Sequence, residues 1–155
     1  MIEKIIDITK SDQHELIELW EKSVRATHDF LKENDIKELK PLILNQYFDK
    51  VTLKGIKNKD SKWIGFIGVA SNKIEMLFIS LEYQGQGVGS LLCKFAIKEM
   101  NVDEVDVNEE NPKARRFYEK MGFKVIARSP LDGQGKPYPL LHMKLIEYEE
   151  IDPVK

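Results

Sequence analysis

Between Ile74 and Met100 the chain runs from a β-rich stretch into a turn crowded with glycine and on into an amphipathic helix. No other stretch limits the possible folds as much. Met76 to Ile79 has strand character, and Val88, Leu91, Leu92, Phe95, Ala96 and Met100 recur at helical spacing. Between them lies Gln84-Gly85-Gln86-Gly87-Val88-Gly89-Ser90. The first turn of a helix has N–H groups without internal partners, and its macrodipole places partial positive charge there. Small residues let the backbone curl and let an anion approach those groups. The pattern of strand, glycine turn and helix start is therefore a device for holding phosphate.

The details separate the known uses of that device. A Walker A loop needs Lys-Ser/Thr after its last glycine, and Ser90-Leu91 stands there instead. A dinucleotide fingerprint, G-x-G-x-x-G, is met by Gly85 and Gly87 but missed at Ser90. Asp106 does stand about where a ribose-binding acid would. Yet that fold places its loop after an early strand, and here about half the chain precedes it, which disfavours a nucleotide-dependent oxidoreductase. A glycine-rich turn with no ligand is the bland alternative; three glycines against a helix start are more than a hairpin needs.

A chain of 155 residues is read as one domain with a sizeable core. With a net charge of −2 and no basic field, nucleic acid is not expected as a partner. The apolar runs are far short of a membrane span, and Met1-Ile2-Glu3-Lys4 is unlike a signal peptide. The lone Cys93 rules out an internal disulfide and suits a cytoplasmic protein. It lies among Leu91, Leu92 and Phe95 with no base in evidence, so a catalytic thiol is not expected there.

Taken in order, residues 2 to 8 read as a first strand with Ile2, Ile6 and Ile8 on one face. Ser11 is the expected N-cap of a helix whose stripe is Leu16, Ile17, Trp20 and Val24. A second helical stretch starts at Asp35, and Pro41 either breaks it or opens a fresh helix. Strand-like runs follow at 51 to 57, 63 to 71 and 73 to 79, an antiparallel meander leading into the glycine turn. Beyond the central helix come a strand at 103 to 108, a helix from Pro112 closed by Gly122, and strands at 123 to 128 and 140 to 146. Pro130 to Pro139 reads as a loop, and 147 to 155 as a charged tail outside a 1–146 domain. The order β-α-α-β-β-β-α-β-α-β-β is mixed α/β.

Two motifs point to one family. Gln84, Gly87 and Gly89 match Gln/Arg-x-x-Gly-x-Gly/Ala. Some two dozen residues on, Asn111, Ala114, Tyr118, Gly122 and Phe123 match N-x-x-A-x-x-x-Y-x-x-x-G-F. In this order and separation they resemble the signatures of the Gcn5-related N-acetyltransferases (GNAT). Arg25-Ala26-Thr27-His28-Asp29-Phe30-Leu31 and Gly135-Lys136-Pro137-Tyr138-Pro139-Leu140-Leu141 resemble bacterial members of the YjaB type. Two positions depart from the pattern. Leu81 stands where many members have proline, and Gln84 replaces the commoner arginine, removing a cation but keeping a donor.

The resemblance implies a mostly antiparallel twisted sheet of about seven strands, splayed between the fourth and fifth and flanked by four helices. It implies acetyl-coenzyme A as acetyl donor, lying in the splay. Phe78 and Ile79 would meet the pantetheine arm, and Gln84, Gly85, Gln86, Gly87, Val88, Gly89 and Ser90 the pyrophosphate. Asn111, Ala114, Phe117 and Tyr118 would complete the cofactor site. The acceptor would be a primary amine, of a small molecule or a protein lysine, in direct attack through a ternary complex. A non-catalytic acyl-coenzyme A sensor on the same fold is the alternative. The assembly would be a monomer or a homodimer.

An amine with a pKa near 10.4 is almost wholly protonated at neutral pH, so transfer needs a base. Glu75 is the first candidate, His28 the second and His142 the third. The tetrahedral oxyanion is best met by a backbone N–H near Ile79. The leaving thiolate needs a proton, which Tyr118 can donate because a phenol (about 10) stays protonated where a thiol (about 8.5) begins to ionise. Asn111 before Pro112 also reads as a plain helix cap, and Tyr118 beside Phe117 as core packing. His28, Asp29, Phe30 and Tyr138, with Asp132, are expected to shape the acceptor pocket.

Overall fold

The computed structural model describes residues 4–146, which fall into two compact units meeting at Val102 and Asp103. The first unit holds β1 (Ile5–Asp7), α1 (Gln13–Thr27), α2 (Glu33–Leu42), β2 (Thr52–Lys57), β3 (Trp63–Ala70), β4 (Lys73–Ile79) and α3 (Val88–Glu99). The second holds β5 (Glu104–Asn108), α4 (Pro112–Lys120), β6 (Phe123–Ser129) and β7 (Leu140–Leu145). That is the expected element order. Ile2 and the tail at 147–155 lie outside the described residues.

In the first unit β1, β2, β3 and β4 lie side by side, each pair antiparallel. The expected stripe of α1, Leu16, Ile17, Trp20 and Val24, is buried with Ile36 of α2 and Phe48 against Leu53, Phe66 and Met76 of the strands. Side chains alternate along a strand, so Gly65, next to Phe66, faces the other way. There it meets Val88 and Leu92 of α3. Gly65 thus lets α3 lie close on β3.

Three local expectations are corrected. Ser11 is not the cap of α1: it sits inside a 3₁₀ turn, Lys10–Asp12, because the Asp12 carboxylate reaches back to accept from Thr9 N–H at 3.0 Å. Pro41 neither ends α2 nor starts a new helix. It lies within α2, and a wider π turn, Ile43–Tyr47, keeps the chain coiled beyond it. Leu91 is exposed; the buried face of α3 is Val88, Leu92, Cys93 and Ala96. Helical spacing identified the helix but left its rotation to be set by the sheet.

In the second unit β7 lies between β5 and β6, antiparallel to both. Val105, Val107, Leu141, Met143 and Phe123 are buried, and α4 joins them through Tyr118, whose ring meets Phe123 edge-on at 5.7 Å. Gly122, at φ +104°, ends α4 as its glycine suggests.

Candidate active site

The chain leaves β4 under tight control. Ser80 N–H donates to Ile64 C=O at 2.8 Å, and a 3₁₀ turn, Leu81–Tyr83, follows. Alternation along the strand then turns the N–H and C=O of Ile79 away from β3. The Gln84 side-chain amide reaches back to donate to that carbonyl at 3.4 Å, and the Gln86 amide donates to Glu82 C=O at 3.1 Å. The loop is thereby tied to the strand end it was expected to serve.

Gly85 and Gly87 have φ of +79° and +86°. At neither would a Cβ meet any protein atom within 4 Å, so glycine is required by handedness and not by crowding. Gly87 is the N-cap of α3 and offers it no side-chain acceptor. The first intrahelical bond runs from Leu91 N–H to Gly87 C=O at 3.0 Å, so the N–H groups of Val88, Gly89 and Ser90 precede it. A curled backbone, a helix start without a side-chain cap and clear space beside it fit a diphosphate. Val88 can contribute only its backbone, because its side chain is buried over Gly65.

The strand end also carries the expected acceptor residues of this unit. Phe78 lies 6.3 Å from the His28 ring and 5.8 Å from Phe66, and His28 lies 5.3 Å from Phe30. Thr27 Oγ1 donates its hydrogen to Ser23 C=O at 2.7 Å, so its 2.8 Å contact with His28 Nδ1 is donated by the ring. That selects the tautomer with Nε2 as acceptor. Burial pushes the His28 pKa below its ordinary value, with Asp29 opposing, so the ring is neutral at neutral pH. Asp29 is exposed. Glu75 is exposed on β4 at an irregularity, where the register shifts between Ile74, paired with Val69, and Met76, paired with Gly68.

In the second unit Asn111 is the N-cap of α4, its Oδ1 accepting from Ala114 N–H at 3.1 Å. The plain capping role is real and occupies one end of the amide. Tyr118 is buried, edge-on to Phe117 at 5.0 Å and to Phe123, so its packing role is real as well. Ala114 and Phe117 are half-buried. Tyr138 is buried in the 130–139 loop. Asp132 also shapes the loop: its Oδ1 accepts from Gln134 N–H and Lys136 N–H, both at 2.9 Å.

Sequence reasoning missed one cluster. In the sequence His142 ranks third among the candidate bases, Asp106 stands at a ribose-binding distance from the glycines, and Ser129 carries no signal. The structure joins them: His142 Nδ1 lies 2.7 Å from Asp106 Oδ1, and Ser129 Oγ 2.6 Å from His142 Nε2. Only the pairing of three strands could have revealed this. Cys93 is buried and its thiol pushed up to about 12 by that burial, in keeping with an inert side chain.

Comparison with known proteins bears on the whole chain. Residues 23–146 match the family described as acetyltransferase (GNAT) domain. The peptidyl-lysine N-acetyltransferase YjaB of Salmonella typhimurium is 37% identical over 142 residues, 90% of this chain and 97% of that protein. The solution structure of apo YjaB from Escherichia coli superposes with a TM-score of 0.82 at 34% identity, covering 94% of this chain and 99% of that one. The PaiA N-acetyltransferase of Thermoplasma acidophilum, solved in complex with coenzyme A, has the same fold at TM-score 0.71 and 23% identity, covering 94% and 99%. On the matched domain, the identity and the shared fold, the chain belongs to the GNAT family of acetyl-coenzyme A-dependent N-acetyltransferases.

Proposed function

We propose that this enzyme acetylates the ε-amine of lysine in proteins. The observation that carries the reading is the loop at 84–90, where two left-handed glycines and a helix start without a side-chain cap leave clear space for a diphosphate. Likeness to peptidyl-lysine N-acetyltransferases supports the acceptor class. The family match at residues 23–146 runs across both units, in support of one catalytic domain, read as 1–146. The net charge of −2 supports a partner other than nucleic acid or an anionic membrane surface. No described helix is long and apolar enough to cross a membrane. The lone cysteine supports a reducing cytoplasm. The assembly is read as a monomer or a homodimer.

Acetyl-coenzyme A supplies an acetyl group activated as a thioester. Backbone N–H groups of Gln84 to Ser90 hold the pyrophosphate, and Ile79 offers backbone to the pantetheine arm, while Phe78, whose backbone is paired with Phe66 of β3, can offer only its ring. Asn111, Ala114 and Phe117 complete the binding surface. A backbone N–H near Ile79 meets the oxyanion. Tyr118 protonates the departing sulfur. His28, Asp29, Phe30 and Tyr138 receive the acceptor, and the neutral His28 and the exposed Glu75 are candidate bases. The test is thiol release from acetyl-coenzyme A with lysine peptides and polyamines side by side. Turnover with lysine peptides is expected; turnover with polyamines alone would refute the acceptor class. Tyr118→Phe separates an enzyme from a sensor, since a sensor has no turnover to lose.

A further inference from the structure

The two ends of the glycine loop are held in different ways. Downstream, Val88 starts α3 and is buried over Gly65. Upstream, every residue from Leu81 to Gly87 is exposed except Tyr83, which is half-buried. Between these two points lie Gly85 and Gly87, and glycine has more backbone freedom to lose than any other residue. The shape of a loop so built depends on how firmly its entry is held.

The hold on Tyr83 comes from another part of the chain. Its hydroxyl oxygen accepts from Asn58 Nδ2 at 3.1 Å, across a separation of 25 residues. Asn58 opens the turn between β2 and β3, and that turn is closed on itself. Asn58 N–H donates to Lys62 C=O at 2.9 Å, and Ser61 N–H donates to Asn58 C=O at 3.0 Å. The Asn58 side-chain oxygen accepts from Asp60 N–H at 2.9 Å and from Lys62 N–H at 3.0 Å. Those two donors settle which end of the amide is oxygen, so the NH2 group is the end that meets Tyr83. The backbone supports the same junction, Tyr83 N–H donating to Ser80 C=O at 2.9 Å just beyond the bond from Ser80 to Ile64. Asn58, Ile64, Tyr83 and the glycine loop all belong to the first unit. The amides of Gln84 and Gln86 bond to Ile79 and Glu82, close by along the chain, so they shape the loop without joining it to the β2–β3 turn.

We propose that Asn58 and Tyr83 are positioning residues for the diphosphate of acetyl-coenzyme A: the bond between their side chains holds the loop entry in the shape that binds. The inference rests on the reading of 84–90 as the diphosphate loop. It requires neither residue to touch the cofactor. Ordering a loose loop on binding costs affinity, and a loop already held in its bound shape avoids that cost.

The experiment compares wild type with Tyr83→Phe, Asn58→Ala, the double variant and Ser90→Asp. Calorimetric titration with coenzyme A gives the affinity, nitrogen NMR relaxation of the free protein gives the motion of the loop, and thermal melts serve as control. Tyr83→Phe keeps the ring and every bond within the β2–β3 turn and removes only the hydroxyl. It is expected to raise the Kd for coenzyme A about fivefold, the effect of one lost hydrogen bond. Relaxation should show greater motion at residues 83 to 87 and none added in β2, β3 or β4, a pattern that general destabilisation would not give. The double variant should bind no worse than Asn58→Ala, because both substitutions break the same link. The first turn of α3 has no acid, and Ser90→Asp supplies one, which favours the helix but repels a diphosphate. It should weaken coenzyme A binding without lowering the melting temperature. Unchanged affinity or unchanged loop motion in Tyr83→Phe, with binding weakened in Ser90→Asp, overturns the positioning role and leaves the loop reading standing. Additive losses in the double variant overturn it as well. Should Ser90→Asp bind like wild type, the loop reading fails and the positioning role falls with it.

Discussion

Gly65→Ala tests how the phosphate loop is held in place. A methyl group at Gly65 would lie 2.9 Å from Ile79 Cδ1, 2.9 Å from Val88 Cγ1 and 3.4 Å from Leu92 Cδ1. The Ile79 methyl ends a flexible side chain and can turn aside. Val88 is β-branched, is stiff at χ1 and is the first residue of α3, so relief there means lifting the helix start. Overpacking of this kind costs about 1–3 kcal/mol. For a domain of this size each kcal/mol lowers the melting temperature by about 2–4 °C, giving a drop of about 2–12 °C. On the proposed cofactor reading, the same lift draws the N–H groups of residues 88 to 90 away from the pyrophosphate. A loss of about 1 kcal/mol there raises the Kd for coenzyme A about fivefold. Thermal melts with and without acetyl-coenzyme A, together with calorimetric titration, measure both effects. A variant that melts and binds like wild type would show that Gly65 does not set the position of α3.

Gly87→Ala puts a side chain at φ +86° where nothing crowds it, so backbone strain alone should cost about 1–2 kcal/mol, and denaturant unfolding measures it. Tyr118→Phe should keep coenzyme A affinity while turnover falls about 10²- to 10⁴-fold, as separate binding and steady-state assays would report. His28 has its pKa lowered by burial, so the unfolded chain takes up its proton first on acidification. Its contribution to stability is therefore whole above the ordinary histidine pKa of about 6.5 and declines as pH falls from there through the lower folded value. Unfolding curves at several pH values should show a decline that is shallower in His28→Gln; equal slopes would contradict a buried neutral ring.

Much of this was legible in the residues. The conformation of the glycine turn is legible because left-handed backbone and an open helix start are local properties of Gly85, Gly87 and Val88. Periodicity placed every strand and helix in order for the same reason: Leu16, Ile17, Trp20 and Val24 need only 3.6 residues per turn to share a face. The failures fall where partners decide. Leu91 is exposed because the sheet, with Gly65 at the contact, chooses which side of α3 is covered. The charge of Asp132 suggests an acceptor role, while its bonds to two loop N–H groups become visible only in the folded loop.

Local chemistry thus determined the family, the donor and the left-handed glycine loop, since each depends on residues adjacent along the chain. Asp106, Ser129 and His142 come from three strands, and their meeting depends on register and on one extra residue at Ile126. Register is a property of paired strands, so no single strand carries it, and only the folded sheet could bring those three side chains into one hydrogen-bonded line.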